Sequence, residues 1–490
     1  MVYKYFKKIK YVFIILALAL VFFNVYYPHL SYPLPLHVDE WQHIAQSVQI
    51  IDKGILVNEN PYFLEVKNTD LEPGFHIFLA KFFSLTGLDP VLNYRFLPAI
   101  FAVLAALVLF IFIYRMTNFW IALLSVIFFS ILPSNVNILG LIFFVPLTLG
   151  IFFIYLFFLL FKINKKIIAL IVLLALFFIH PPSGFILLPF VLFYYLTKPD
   201  IIKHIKNYIK KYKIVAILVP ILFLLSIFFF KDFILKIIKT ILSGNLFPTM
   251  SSVLGIRYFL PSLYGKLSIC LAIVGGFIGF RKKLKDFVLW VFFILILIGL
   301  TYLFDIDSIY FLYQRLVYYF MIGLVPLSAI GFYFIVKSFS KLKINKTLVK
   351  IGSIVISCLL LFFIFFEYSE IYRYTRTDSP YTKTYRLIEK EEYEDIKWLS
   401  NLPEGIVMAP LRISTTIYPI SKHKVVGIIE GQLGGGNIPD IDLFFTDNTC
   451  ALKERIIKKH NVNFVFSKEE IKCNNLEEIY SKNNHIYKVI

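Results

Sequence analysis

Charge is scarce in this chain. Charged side chains make up 17% of its 490 residues, where about a quarter is usual for a soluble protein, and hydrophobic residues make up 59%. A composition this apolar excludes disorder. With only 22 glycines and 4 cysteines, a collagen-like repeat and a disulfide-rich secreted scaffold are excluded as well. There is no Walker A sequence, HExxH, CxxC or nucleophile elbow, so nucleotide-driven pumping has no support. No internal repeat is found, and no small-residue cleavage site follows the basic, apolar N-terminus.

What remains is apolar length. A mean hydropathy of +0.75 over 57.2 kDa requires many membrane spans. Long apolar runs fall near 10–27, 92–114, 119–134, 138–161, 166–180, 183–197, 213–230, 267–280, 286–304, 316–336 and 348–366, which makes about eleven spans of the roughly 30 Å needed to cross hydrocarbon. Pro181 and Pro182 break the pair at 166–197. The stretch 73–87 is short and contains His76 and Lys81, so it reads as an interfacial helix.

Lysine and arginine number 50 against 31 acids, a net charge of +19. Their placement explains the excess without nucleic acid. If 73–87 does not cross, the basic clusters at 1–10, 115–118, 162–166, 198–213, 281–286 and 337–350 all fall on one side, opposed only by Asp200 and Asp286. That puts the N-terminus in the cytoplasm, and the loop 28–90 and the residues after the last span outside. From 370 onward the composition changes, and the pattern predicts a soluble extracytoplasmic α/β domain over 370–490. Its expected elements are helices near 386–400 and 449–460, strands at 405–409, 424–429 and 462–467, and a terminal pair near 477–489. Residues 1–369 form the membrane module. Cys450 and Cys473 share the outer domain, and a disulfide between them stays open.

The outer loop 28–90 is acidic, with Asp39, Glu40, Asp52, Glu59, Glu65, Asp70, Glu72 and Asp89 against three lysines. His37, Asp39, Glu40 and His43 cluster about ten residues after the first span. Adjacent carboxylates with flanking imidazoles can serve as general base, metal ligands or both. If a helix starts at Asp39, that residue also caps it, with His43 one turn away on the same face; a plain cap on a solvated helix is the competing reading.

The acidic pair, a following amphipathic stretch ending at Gly54, and Glu72-Pro-Gly-Phe-His76 together resemble the first outer loop of the GT-C superfamily of integral-membrane glycosyltransferases. The resemblance extends through 87–99 (GLDPVLNYRFLPA), through Gln314-Arg315 with the Pro326-containing span, and through 394–399, 405–408 and 485–489 of the outer domain. It implies transfer of a sugar from a polyprenyl-phosphate (dolichyl-phosphate-type) donor to a lipid-linked or protein acceptor on the outer face. Asp39 matches the superfamily's catalytic aspartate, with Glu40 beside it. A Mg²⁺ or Mn²⁺ ion on these two and a metal-free reaction both stay open, because the next outer loop offers only Asn135 and Asn137. The outer domain lacks a Trp-Trp-Asp-Tyr-Gly run, which argues against the oligosaccharyltransferase branch.

His43, Glu72, His76, His180, Arg257 and Arg315 are the candidate substrate-binding residues. His180 sits at the outer end of a span, where it either faces substrate or caps carbonyls freed by the prolines. Arg315 either holds the carrier phosphate in a forked geometry or pairs with Asp305 and Asp307. The basic loop 231–266, with Lys236, Lys239 and Arg257, begins with an amphipathic stretch suited to anionic membrane lipids. Gly431-Gln-Leu-Gly-Gly-Gly436 lacks dinucleotide-binding spacing and reads as a mobile loop. The competing functional class is a multi-pass lipid or solute transporter or flippase, whose substrate path the broken helices would mark.

Overall fold

The structure, a computed structural model, describes residues 2–64, 66–67, 70–134, 138–196, 264–280, 284–304, 313–341, 346–374, 384–431 and 433–490. The expected span 213–230, the basic loop with Lys236, Lys239 and Arg257, and Asn135, Asn137, Asp305 and Asp307 lie outside the described residues. The membrane module contains α1 (Val2–Tyr26), α2 (Val38–Lys53), α3 (Pro73–Thr86), α4 (Pro90–Asn93), α5 (Leu97–Met116), α6 (Phe119–Ser130), α7 (Pro146–Lys162), α8 (Lys166–Ile179), α9 (Pro181–Leu196), α10 (Lys266–Phe280), α11 (Lys285–Phe304), α12 (Tyr313–Phe339) and α13 (Lys346–Tyr374). Among the described residues four helical stretches are long and apolar enough to cross a membrane: Ile9–Leu30, Pro90–Met116, Gln314–Phe339 and Thr347–Ser369. Shorter apolar helices surround them.

Packing in the module relies on small residues and on side chains that satisfy a neighbouring helix's backbone. Gly275 of α10 lies against the backbone of Leu327, and Gly331 of α12 against that of Leu271, so neither position has room for a Cβ. Trp290 donates to the Tyr319 carbonyl at 2.8 Å, Tyr155 to the Ile322 carbonyl at 2.9 Å and Asn24 to the Ser130 carbonyl at 3.1 Å. Lys162 and Asp286 pair at 2.8 Å between the end of α7 and the start of α11.

The apolar run 138–161 is not one helix. Residues 138–145 are irregular and helix α7 begins only at Pro146, which favours a first-turn position. The backbone of this buried stretch finds side-chain partners: Gly140 donates to Ser134 Oγ at 2.9 Å, Leu141 to Tyr318 OH at 3.2 Å and Phe144 to Glu40 Oε1 at 2.8 Å. The run broken by Pro181 and Pro182 forms the separate helices α8 and α9, joined through His180.

The C-terminal domain adds α14 (Lys390–Leu399), β1 (Ile406–Met408), α15 (Leu411–Ser421), β2 (Lys424–Val425), β3 (Gly427–Gly431), β4 (Gly434–Gly436), α16 (Ile438–Thr446), α17 (Cys450–His460), β5 (Phe464–Ser467), β6 (Leu476–Ser481) and β7 (His485–Val489). Five strands form a mixed sheet in the order β2-β1-β5-β7-β6, parallel at β2-β1 and β1-β5 and antiparallel beyond. Helix α15 was not expected: its β-branched residues and Pro419 disfavour a helix, but Ile413, Ile417 and Tyr418 are buried there, so packing overrides propensity. Nor are residues 431–436 a loop on their own. Most of them pair with β3 as the hairpin β3-β4, held to the first outer loop by the Asn60 amide donating to the Leu433 carbonyl at 2.9 Å. Cys450 and Cys473 form a disulfide.

The C-terminal domain docks on the segment 28–90. Tyr62 donates to the Thr415 carbonyl at 2.7 Å, Gln42 to the Ile429 carbonyl at 3.2 Å, the Arg386 amide to the Leu36 carbonyl at 2.9 Å and Tyr32 to the Ile388 carbonyl at 2.6 Å. Helix α2 therefore packs against both the helical module and the C-terminal sheet domain.

Candidate active site

The N-terminus of α2 is built differently from the expectation that Asp39 caps it. His37 is the cap: its Nδ1 accepts from the Asp39 amide at 3.1 Å. Glu40 completes a capping box, with Oε2 accepting from the Leu36 amide at 2.8 Å and the His37 amide at 3.1 Å. Because the ring nitrogen has taken the capping role, the Asp39 carboxylate is free to face outward. It stays 29% exposed, with Oδ1 3.7 Å from His37 Nδ1.

Glu40 does not stand beside it as a second surface acid. Consecutive helical residues project about 100° apart, and Glu40 points into the core with no exposure. Its Oε1 takes the Phe144 amide, so one carboxyl collects three backbone donors and ties α2 to the stretch before α7. Burial pushes its pKa up to about 7 against the opposing pull of those hydrogen bonds. The Asp39–Glu40 pair therefore does not form the expected cation site. Among the described residues no group of three or more His, Cys, Asp or Glu side chains could hold a metal ion.

The other candidates converge. His43, one turn after Asp39, meets His76 of α3 with Nδ1 and Nε2 2.8 Å apart. His76 Nδ1 in turn lies 2.8 Å from Asp70 Oδ2. Asp70 Oδ1 accepts from the Glu72 amide at 2.9 Å, which sets the turn into α3 at Pro73. Gly74 lets that turn press against the backbone of Phe178, where a Cβ would collide. The contact carries Glu72 to within 3.8 Å of His180 Nε2. On its other side His180 Nδ1 is 2.7 Å from Ser183 Oγ, which is 2.7 Å from Tyr319 OH. Gly150 of α7 leaves room for this contact.

Arg315, at the start of α12, lies within electrostatic reach of His43, His180 and Tyr319. His37 reaches His43 in the same way. Burial, then the neighbouring His76 and Arg315, hold the His43 pKa well below the usual imidazole range, so that ring is neutral at physiological pH. Four candidates named from the sequence, His43, Glu72, His76 and His180, are thus buried close together on the side of α2 that follows Asp39, with the half-buried Arg315 within electrostatic reach of two of them. Arg257 lies outside the described residues. Sequence reasoning missed Asp70, Ser183 and Tyr319 as members. Ser183 had a signal in its position three residues after His180; Tyr319 had none, because only the packing of α9 against α12 brings it in.

No protein family matches the chain by sequence, and no curated protein matches it. Solved structures do match in fold. The Archaeoglobus fulgidus oligosaccharyltransferase tethered to an acceptor peptide containing the NVT sequon superposes with a TM-score of 0.61 at 13% identity. The apo form of that enzyme gives 0.62 at 12%, and the archaeal oligosaccharyltransferase AglB from the same organism, in complex with an inhibitory peptide and a dolichol-phosphate, gives 0.58 at 12%. Each superposition covers 94% of this chain and 69% of the other. At such identity the likeness is one of fold alone: the helical module and the C-terminal sheet domain together are arranged as in these oligosaccharyltransferases.

Proposed function

We propose that this chain, with its GT-C fold, is a glycosyltransferase that moves a sugar from a polyprenyl-phosphate donor of the dolichyl-phosphate type to a lipid-linked or protein acceptor on the outer membrane face. One observation carries the reading: an outward-facing carboxylate, Asp39, stands at the helix end beside a buried cluster of imidazoles with one guanidinium. Asp39 is the general base. As the acceptor oxygen forms its bond to the anomeric carbon, its proton passes to the Asp39 carboxylate, and the bond from that carbon to the phosphate oxygen breaks with its electron pair going to the phosphate. Arg315 holds the phosphate, where its fork suits two oxygens and its charge matters most as the leaving group becomes more negative. His180, set by Ser183 and Glu72, lines the same site.

The finer reading places the N-terminus in the cytoplasm and both the loop 28–90 and the domain 370–490 outside, on the charge distribution of the loops. It also takes the chain to lie outside the oligosaccharyltransferase branch, on the missing Trp-Trp-Asp-Tyr-Gly run. The transferred group is a hexose or pentose.

The test is Asp39→Asn, which keeps volume and leaves the His37 cap intact. Transfer of label from dolichyl-phosphate mannose or glucose in proteoliposomes is expected to fall by about 100-fold or more, with the thermal midpoint unchanged. Undiminished transfer by the variant would remove Asp39 from the mechanism.

A further inference from the structure

Among the described residues six buried side-chain nitrogens and oxygens lack a hydrogen-bond partner, and three of them stand in one place: His29 Nε2, Arg95 Nε and Arg386 Nε. His29 belongs to the short turn Tyr27–Leu30 that ends the apolar stretch Ile9–Leu30, Arg95 to the turn Tyr94–Phe96 leading into α5, and Arg386 to the segment before α14. Aromatic rings join them. Tyr26 lies 5.9 Å from the His29 ring and stacks at 5.4 Å on Phe96, whose ring carries the Arg95 guanidinium at 4.8 Å. The Arg386 guanidinium sits 5.0 Å from the Tyr32 ring and reaches the Pro28 carbonyl and Ser31 Oγ, both at 3.4 Å. Both guanidiniums act electrostatically on His29.

Among the described residues no carboxylate pairs with either arginine. Glu389 and Glu392 act on Tyr32 from the start of α14, but Glu392 is paired with Lys468. Two half-buried guanidiniums that share one imidazole and lack a counter-ion repel each other with little screening, and an anion between them relieves this. His29 is 3% exposed, and its Nδ1, 3.1 Å from the Tyr32 carbonyl, donates in either charge state because a carbonyl only accepts. As an imidazolium it donates from Nε2 as well. Next to the charges the surface is apolar: Phe22, exposed on α1, stacks on Tyr26, and Leu30 is exposed beside Ser31. The rings of Phe22, Tyr26 and Phe96 thus form a ladder from the exposed side of α1 to Arg95.

We propose that His29, Arg95 and Arg386 hold the phosphate of an anionic membrane phospholipid whose acyl chains lie along the exposed face of α1. A guanidinium fork suits two phosphate oxygens, and its charge is delocalised, so an anion on the terminal nitrogens also balances the enclosed Nε. This phosphate site is separate from the one given to the carrier: Arg315 is the arginine that acts on His180, whereas Arg95 and Arg386 act on His29. The bound phosphate ties together the end of α1, the entry to α5 and the segment leading into the C-terminal domain.

Native mass spectrometry of the full chain, delipidated in detergent and titrated with dioleoyl phosphatidylglycerol or dioleoyl phosphatidylcholine, is the test. The parent should retain phosphatidylglycerol in preference to phosphatidylcholine, whose choline sets a further cation beside the guanidiniums. Arg95→Gln and Arg386→Gln should each weaken that binding about tenfold or more, as expected for lost hydrogen bonds to a charged group, while Arg315→Gln leaves it unchanged. Phosphatidylglycerol should raise the parent's thermal midpoint, followed by tryptophan fluorescence, and fail to raise that of Arg95→Gln. The lipid-free midpoint of this variant should match the parent's, because Arg95 Nε has no hydrogen-bond partner to lose.

Full retention of phosphatidylglycerol by Arg95→Gln, or a parent without preference over phosphatidylcholine, overturns the site. If inorganic phosphate stabilises the parent as far as the lipid does, the ligand is a soluble anion; if dolichyl phosphate is the lipid that Arg95→Gln loses, the site belongs to the carrier. Either result overturns the assignment to a phospholipid.

Discussion

Glu40→Gln separates the two neighbouring acids of the α2 N-terminus. The parent carboxyl accepts three backbone donors, two through Oε2 and one through Oε1. Glutamine offers one oxygen. Turned toward Leu36 and His37 it keeps two bonds, but its NH₂ then faces the buried Phe144 amide, donor against donor; the opposite rotamer loses two bonds. One lost hydrogen bond is worth about 1 kcal/mol and a buried amide left unpaired costs about 1–3 kcal/mol, so the variant should lose about 2 kcal/mol at pH 5. The penalty is pH-dependent. Burial raises the folded pKa of Glu40 to about 7 from an ordinary 4.5, so the folded state holds a proton that the unfolded state releases between those values. The contribution is fully present below about 4.5 and is lost as pH rises through 7. The gap between parent and variant should therefore narrow from pH 5 to pH 8. Trp41, fully buried on the same turn of α2, reports thermal unfolding by fluorescence in detergent. Equal midpoints at pH 5, or a gap that widens toward pH 8, would refute this account of Glu40 as a buried clamp.

Arg315→Lys keeps the charge but loses the fork, so turnover in the dolichyl-phosphate sugar assay should drop about tenfold to a hundredfold with little change in thermal midpoint; a variant that unfolds while keeping its activity per folded molecule makes Arg315 a structural residue. A membrane-impermeant amine label added outside intact cells should modify lysines of the domain 370–490 and spare those of 198–213; the reverse pattern would invert the topology and make 73–87 a span.

Composition and periodicity were enough to establish a multi-span helical chain followed by a mixed α/β domain, because apolar length and alternation are local properties that no packing is needed to read. The strands 406–408 and 464–467 and the helix 450–460 stood out for that reason. The acidic composition of the loop 28–90 is likewise a local property. Local signals also misled. Asp39 has the residue type of a helix cap, but a histidine two residues earlier takes the role. Glu40 has the residue type of a surface ligand, but the Phe144 amide, 104 residues away, gives its buried carboxyl a partner. The apolar residues 138–145 look like part of a span until side chains from α2 and α12 supply their backbone partners.

The cluster itself is a tertiary product. Asp70, His76 and His43 come from two helices and a turn, and Tyr319 and Ser183 from two more; apart from the spacing of Ser183 from His180, nothing in the sequence ties these elements together. Gly74 lets the turn before α3 press on the Phe178 backbone, and Gly150 leaves room for the side chains of Ser183 and His180, where in each case a Cβ would collide. The sequence by itself determined which residues could do chemistry and on which side of the membrane their loops are expected to lie. Only the packing decided which of these side chains meet, because contacts between residues far apart in the chain depend on the partners that the fold brings up.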